Sequence, residues 1–271
     1  MSAVLRSRVL FVPPSARPAV APARVAFVGS RSCPPSWPAV DAVVASVLSA
    51  GRLVGVGCCV GADVLALRAA LAAAPSPSSV AVFAAFGPGG EGAGEWSAVD
   101  AVAVARRLGA SLVWWAGGPA SLSFRARCAA RSAALVRWAA EGGPGSGLVA
   151  FVSSPSSRGS FRACRLAVAA GLPVVLFPFG WARRRPLFRV PALGPRFPGV
   201  WVPCRSRSPV WSSALVWRPG LPSSPAPAGE GALMGRTPQA IVSQKKHAPQ
   251  RNTPNLTRSN NYCMIRYIVV C

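Results

Sequence analysis

Arg-Val-Ala-Phe-Val-Gly-Ser-Arg, residues 24–31, is a short apolar run that stops in a Gly-Ser turn just ahead of a helical pattern. Two later stretches repeat the design. Residues 53–56 run into Gly57-Cys58-Cys59-Val60-Gly61-Ala62-Asp63, and residues 148–152 run into a serine-rich turn that ends in Arg158-Gly159-Ser160. A strand that ends in such a turn and opens a helix points backbone N–H groups, and the positive end of the helix dipole, at whatever binds there. Three of these turns in one parallel sheet would converge on one rim and form an anion-binding crevice.

Working outward, the same alternation spans residues 24–180. Strands are predicted at 24–28, 52–56, 80–86, 111–115, 147–152 and 173–178, and helices at 38–50, 62–73, 97–108, 123–140 and 160–170. Strand–helix alternation implies a parallel sheet with helices on both faces. The strands are continuous apolar runs, as a sheet covered on both faces requires. Gly51, Gly109, Gly142 and Gly171 follow helices, where a C-terminal cap is expected. The fold class is therefore α/β, a Rossmann-like three-layer sandwich with a mainly parallel sheet. Residues 1–23 read as an N-terminal extension, and 24–180 as a ligand-binding domain. Residues 181–271 read as a Pro/Arg-rich, disordered tail.

The chain carries 30 Lys+Arg against 7 Asp+Glu, a net charge of +23. Part of this is compositional bias, because residues 1–235 contain no Ile, Lys, Asn, Gln, Thr, Tyr or His. Bias explains less well why residues 142–229 hold eleven Arg and no acid. A polyanionic partner is expected. The longest uncharged apolar run, residues 166–181, is broken by Gly171, Pro173, Pro178 and Gly180 and is too short to span a membrane. The four arginines and absent acids of residues 1–24 resemble a transit peptide, but the first strand already begins at Val25. Eight cysteines lie without a C-x-x-C pair, and the one histidine is His247, so no zinc site is expected. Cys58, Cys128 and Cys164 read as small core residues, and a reducing, cytoplasmic compartment is expected.

Each turn offers candidate ligand groups. Gly29, Ser30 and Arg31 could hold a phosphate through turn amides, hydroxyl and charge. Gly57 and Gly61 form a glycine-rich loop that is neither G-x-G-x-x-G nor a P-loop. Asp63 falls in the first turn of the next helix, where it either complements the dipole or meets a ligand hydroxyl; the second reading is favoured because acids are so few. In helix 123–140, Arg131 falls on the apolar stripe of Phe124, Cys128, Leu135 and Trp138. A guanidinium there needs an internal carboxylate, an anionic ligand or a path to solvent. Arg127, one turn earlier, could join it. Arg158, Gly159 and Ser160, with Ser160 as N-cap, form the best phosphate cradle. In the tail, arginines alternate with Trp181, Phe188, Phe197, Trp201, Trp211 and Trp217, a composition suited to single-stranded nucleic acid. With no histidine in the domain, a Ser-His or Cys-His nucleophile pair is excluded there.

Laid in order, VAFVGSRS, GRLVGVGCCVGADVLALRAAL, RARCAARSAALV and LVAFVSSPSSRGSFRACRLAVAAGLPVVLFP resemble the SLOG superfamily. That Rossmann-like group joins DNA-processing protein A (Smf) and LOG-like proteins, and the order of motifs resembles the DNA-processing branch most. The resemblance implies binding of single-stranded DNA or a nucleotide, with a role in DNA uptake or recombination. The family's Arg-Asn pair stands here as Arg131-Ser132, and its Gly-Thr as Gly159-Ser160. Ala163 occupies the position of the phosphoribohydrolase glutamate, which argues against that chemistry.

The leading expectation is non-catalytic binding of a nucleotide or a single-stranded DNA backbone by Arg31, Arg131 and Arg158, with no cofactor, no metal and no membrane. A homo-oligomer is left open. The alternatives are a hydrolase of nucleotide N-glycosidic or phosphate bonds, with Asp63 or Glu95 as acid/base, and a degenerate member without activity.

Overall fold

A computed structural model describes residues 21–179 and 190–220. Six strands lie parallel: β1 (Arg24–Gly29), β2 (Leu53–Val56), β3 (Val80–Phe83), β4 (Ser111–Val113), β5 (Gly147–Val152) and β6 (Val174–Pro178). Between them run α1 (Pro38–Ser49), α2 (Ala62–Ala73), α3 (Trp96–Arg107), α4 (Phe124–Ala140) and α5 (Arg158–Ala169). These match the predicted elements closely. Gly51, Gly109 and Gly171 take positive φ of 69°, 88° and 75° two residues beyond α1, α3 and α5, the left-handed cap that only glycine adopts without strain.

Two more strands, β7 (Gly199–Pro203) and β8 (Leu215–Pro219), complete an eight-stranded sheet of order β4-β3-β2-β1-β5-β6-β8-β7. β8 pairs antiparallel with both β6 and β7. This corrects the expectation that residues 181–271 are uniformly disordered: 190–220 belong to the domain. Trp201 faces Trp217 across the strand pair with ring centroids 5.0 Å apart, and Trp211 packs 5.8 Å from Phe177. Those rings are spent on packing, since Trp211 and Trp217 are buried. Trp181, Phe188 and the arginines at 183–185 and 189 lie outside the described residues.

Period-two alternation along each buried strand feeds two cores. Val25, Phe27, Val149, Phe151, Val175 and Phe177 face α1, α2 and α3, whereas Ala26, Val28, Leu148, Ala150, Val174 and Leu176 face α4 and α5. Helices α1 to α3 therefore cover one face and α4 and α5 the other, giving three layers. The chain adds strands in one direction from β1 to β4, then returns to lay β5 on the opposite side of β1. The reversal between β1 and β5 is the place where such sheets open a crevice at the strand C-termini.

Candidate functional site

The turn after β1 sits at that reversal and touches both neighbouring turns. Ser30 is the hub. Its N–H donates to the Phe151 carbonyl (2.9 Å), and its carbonyl accepts from Ala62 N–H, the first residue of α2 (3.1 Å). Its hydroxyl accepts from Ser153 N–H at 3.0 Å and shares a proton with the Ser157 hydroxyl at 2.6 Å. Ser32 and Ser153 hydroxyls pair at 2.9 Å. Gly29 permits this closeness, because a Cβ there would overlap Ala62 and the Phe151 carbonyl. Gly61, at φ +80°, lets the second turn pass against the Ser30 and Arg31 carbonyls. The three turns singled out in the sequence thus meet.

Helix α5 begins at Arg158, so Ser157 and not Ser160 is its N-cap. Ser157 makes no side-chain bond to its own helix and pairs with Ser30 instead. Ser160 is buried within the first turn, while Arg158 and Gly159 are exposed at the helix entrance. Arg31, the next residue after Ser30, is exposed as well. The hub therefore has one exposed arginine in its own turn and another in the first turn of α5.

Arg131 and Asp63 meet each other beneath the rim. The Arg131 guanidinium donates to Asp63 Oδ2 at 2.9 Å, with both side chains 4 % exposed. Asp63 also accepts from Cys59 N–H at 3.2 Å. Of the partners open to Arg131, the internal carboxylate is the one present, and Asp63 is a buried counter-ion beneath the rim. Burial pushes the Asp63 carboxyl up to about 6, while Arg131 and the Cys59 amide pull the other way. Gly57 makes the pair fit: a Cβ there would collide with Arg131 Nη1 and Asp63 Oδ2.

Arg127 is buried and donates to the carbonyls of Ala120 (3.0 Å), Leu122 (3.1 Å) and Gly92. It lies 5.3 Å from the Trp115 ring centroid and 5.9 Å from that of Phe124. These contacts fasten the glycine-rich 87–95 loop and the 116–123 loop to α4. Its guanidinium is thus engaged with these carbonyls and rings.

A narrow cleft beside the rim is lined by Arg31, Cys59, Phe86, Glu95, Ala98 and Phe124, among others. Cys59 and Cys128 were not singled out from sequence as chemistry, yet Cys59 Sγ lies 3.1 Å from Arg131 Nη2 and 3.6 Å from Cys128 Sγ. Cys128 is therefore more than core filling, whereas Cys58 and Cys164 are buried as expected. The signal available was a Cys-Cys step just ahead of a helix N-terminus, with an arginine one turn after Cys128. Among the described residues no group of His, Cys, Asp or Glu is arranged to hold a metal, and no helix is long and apolar enough to cross a membrane.

No protein-family model and no curated protein matches the chain. Among solved structures, DNA processing protein A of Streptococcus pneumoniae is similar at 19 % identity and a TM-score of 0.44, covering 60 % of this chain and 52 % of that one. DNA processing protein A of Helicobacter pylori, which binds single-stranded DNA, is similar at 15 % identity and a TM-score of 0.43, covering 58 % of this chain and 65 % of that one. The chain thus spans about half to two thirds of the length of the two DNA processing proteins to which its structure is similar.

Proposed function

We propose that this chain binds the phosphate backbone of single-stranded DNA at the C-terminal ends of β1 and β5, without reacting with it. The observation that carries this reading is the Ser30 hub, which joins the starts of α2 and α5, with exposed Arg31 and Arg158 in the adjoining turns. Helix N-termini, hydroxyls and arginines together form a phosphate site. Exposed rings at the C-terminal edge of the sheet favour a strand over a lone phosphate. Trp96, at the start of α3, is 72 % exposed, and Phe179, just past β6, is 38 % exposed. Bases stack on such rings while arginines follow the backbone. A nucleotide would use the same cradle without the rings. A role in DNA uptake or recombination follows only from the resemblance of the motifs to the DNA-processing branch.

Fluorescence anisotropy with a labelled oligothymidylate across a salt series tests the reading, with a mononucleotide as competitor. Binding should weaken with salt, by a slope of about 0.7 per phosphate neutralised. Arg31→Ala should remove about one such unit. Binding that ignores salt, or an Arg31→Ala plus Arg158→Ala variant that binds undiminished, would contradict it. The hydrolytic alternative now rests on Glu95 in the cleft, since Asp63 is enclosed by its ion pair; release of free base from nucleoside monophosphates would establish it.

A further inference from the structure

Cys59 stands apart from the phosphate cradle and has a chemistry of its own. It is half-buried, three residues before the first turn of α2, and borders the cleft that also exposes Arg31. Arg131 Nη2 donates to its sulfur from 3.1 Å, and the Cys128 sulfur lies within hydrogen-bond reach at 3.6 Å. Positive charge and a helix N-terminus are the surroundings in which a cysteine sits as thiolate.

We propose that Cys59 is an oxidant-reactive thiolate that attacks hydrogen peroxide entering through the cleft, and that Cys128 is the resolving thiol that closes a Cys59–Cys128 disulfide. Thiol hydrogen bonds from Cys128 and Cys58, and the nearby Arg131 and Arg31 charges, hold Cys59 far below the ordinary cysteine range. Cys128, which gives its hydrogen bond to Cys59, is pushed up and stays protonated. This division suits a nucleophile and a resolver. The cleft is narrow and lined by Cys59 beside the exposed Arg31, which suits the approach of a small oxidant such as hydrogen peroxide.

The steps balance. The Cys59 thiolate attacks one peroxide oxygen and the O–O bond breaks. Cys59 becomes a sulfenic acid, oxidised by two electrons, and the expelled hydroxide takes a proton to become water. The Cys128 sulfur then attacks the Cys59 sulfur. Its thiol proton leaves with the sulfenic hydroxyl as a second water, and the S–S bond forms. The sulfurs must close from 3.6 Å to a bond of about 2.05 Å, a movement within reach of a turn and one helix face. Cys58 is the competing partner, but its sulfur is buried and accepts the Ala85 N–H at 3.0 Å. The product would tie the β2–α2 turn to α4 and draw Cys59 off Arg131.

The reduced full-length protein gives the first test without any variant. Iodoacetamide at pH 6 should alkylate Cys59 at least about 10-fold faster than Cys33, whose thiol burial pushes up to about 11. Peroxide treatment followed by non-reducing peptide mapping should then yield a Cys59–Cys128 cross-link, with fragmentation separating Cys59 from Cys58. Cys128→Ser should trap Cys59 as a sulfenic acid that dimedone labels, and Cys59→Ser should abolish both products. Alkylation of Cys59 no faster than Cys33, a cross-link that pairs other cysteines, or no dimedone adduct in Cys128→Ser would overturn the proposal.

Discussion

Arg131 and Asp63 bring opposite charges into a core where neither has water to fall back on. Deleting one partner strands the other, so Arg131→Ala should cost about 3–5 kcal/mol in urea unfolding. An unchanged midpoint would mean that the pair is solvated. Loss of DNA binding in that variant would therefore report on folding, and the exposed Arg31 and Arg158 are the cleaner probes of ligand. The same pair sets a pH dependence. The Asp63 carboxyl titrates at about 6 in the folded chain, above the unfolded value of about 3.9. The folded state thus holds the extra proton, and this group's contribution is full below about pH 4 and is lost as pH rises through 6. Asp63→Asn removes that loss. Its stability should therefore climb more steeply, or fall less, than that of the unaltered protein between pH 4 and 6, as measured by denaturant unfolding. Parallel curves would contradict the shift.

At the scale of elements, the six parallel strands and five helices were legible because each carries one dominant signal. β1, β2, β3, β5 and β6 are buried and read as apolar runs, whereas β4 is a short, largely exposed edge strand; α1, α3 and α5 end at glycines that take the left-handed cap. β7 and β8 were not legible. Each is five residues long, each ends in proline, and they lie in a Pro/Ser/Arg background that resembles a linker. Their signal was Val200-Trp201-Val202 and Val216-Trp217, short β-favouring clusters whose meaning depends on pairing with β6. The meeting of the three turns was legible from the repeated strand–turn–helix pattern. The destination of Arg131 was not, because a core-facing arginine is compatible with either a ligand or a carboxylate until the fold brings Asp63 to it. Trp211 gives the element-scale prediction. It is 2 % exposed against Phe177, so Trp211→Ala should destabilise the domain by about 3–5 kcal/mol. A change within error would place residues 190–220 outside the cooperative unit.

Over the whole molecule, the chain carries a net charge of +23, and its described part offers helix N-termini and two exposed arginines at the crevice. Such a field draws polyanions of many kinds and speeds encounter more than it selects a partner. Selection for a strand would come from the exposed rings of Trp96 and Phe179. Trp96→Ala should weaken oligothymidylate binding by about 1–3 kcal/mol and leave mononucleotide binding unchanged. Equal losses for both ligands would assign Trp96 to folding. If the Ser30 rim holds a phosphate backbone, the Arg31→Ala plus Arg158→Ala variant should stay folded yet bind oligothymidylate more weakly in salt-dependent anisotropy, with a salt slope about 1.4 units shallower than the unaltered chain. A variant with unchanged affinity and slope would contradict it.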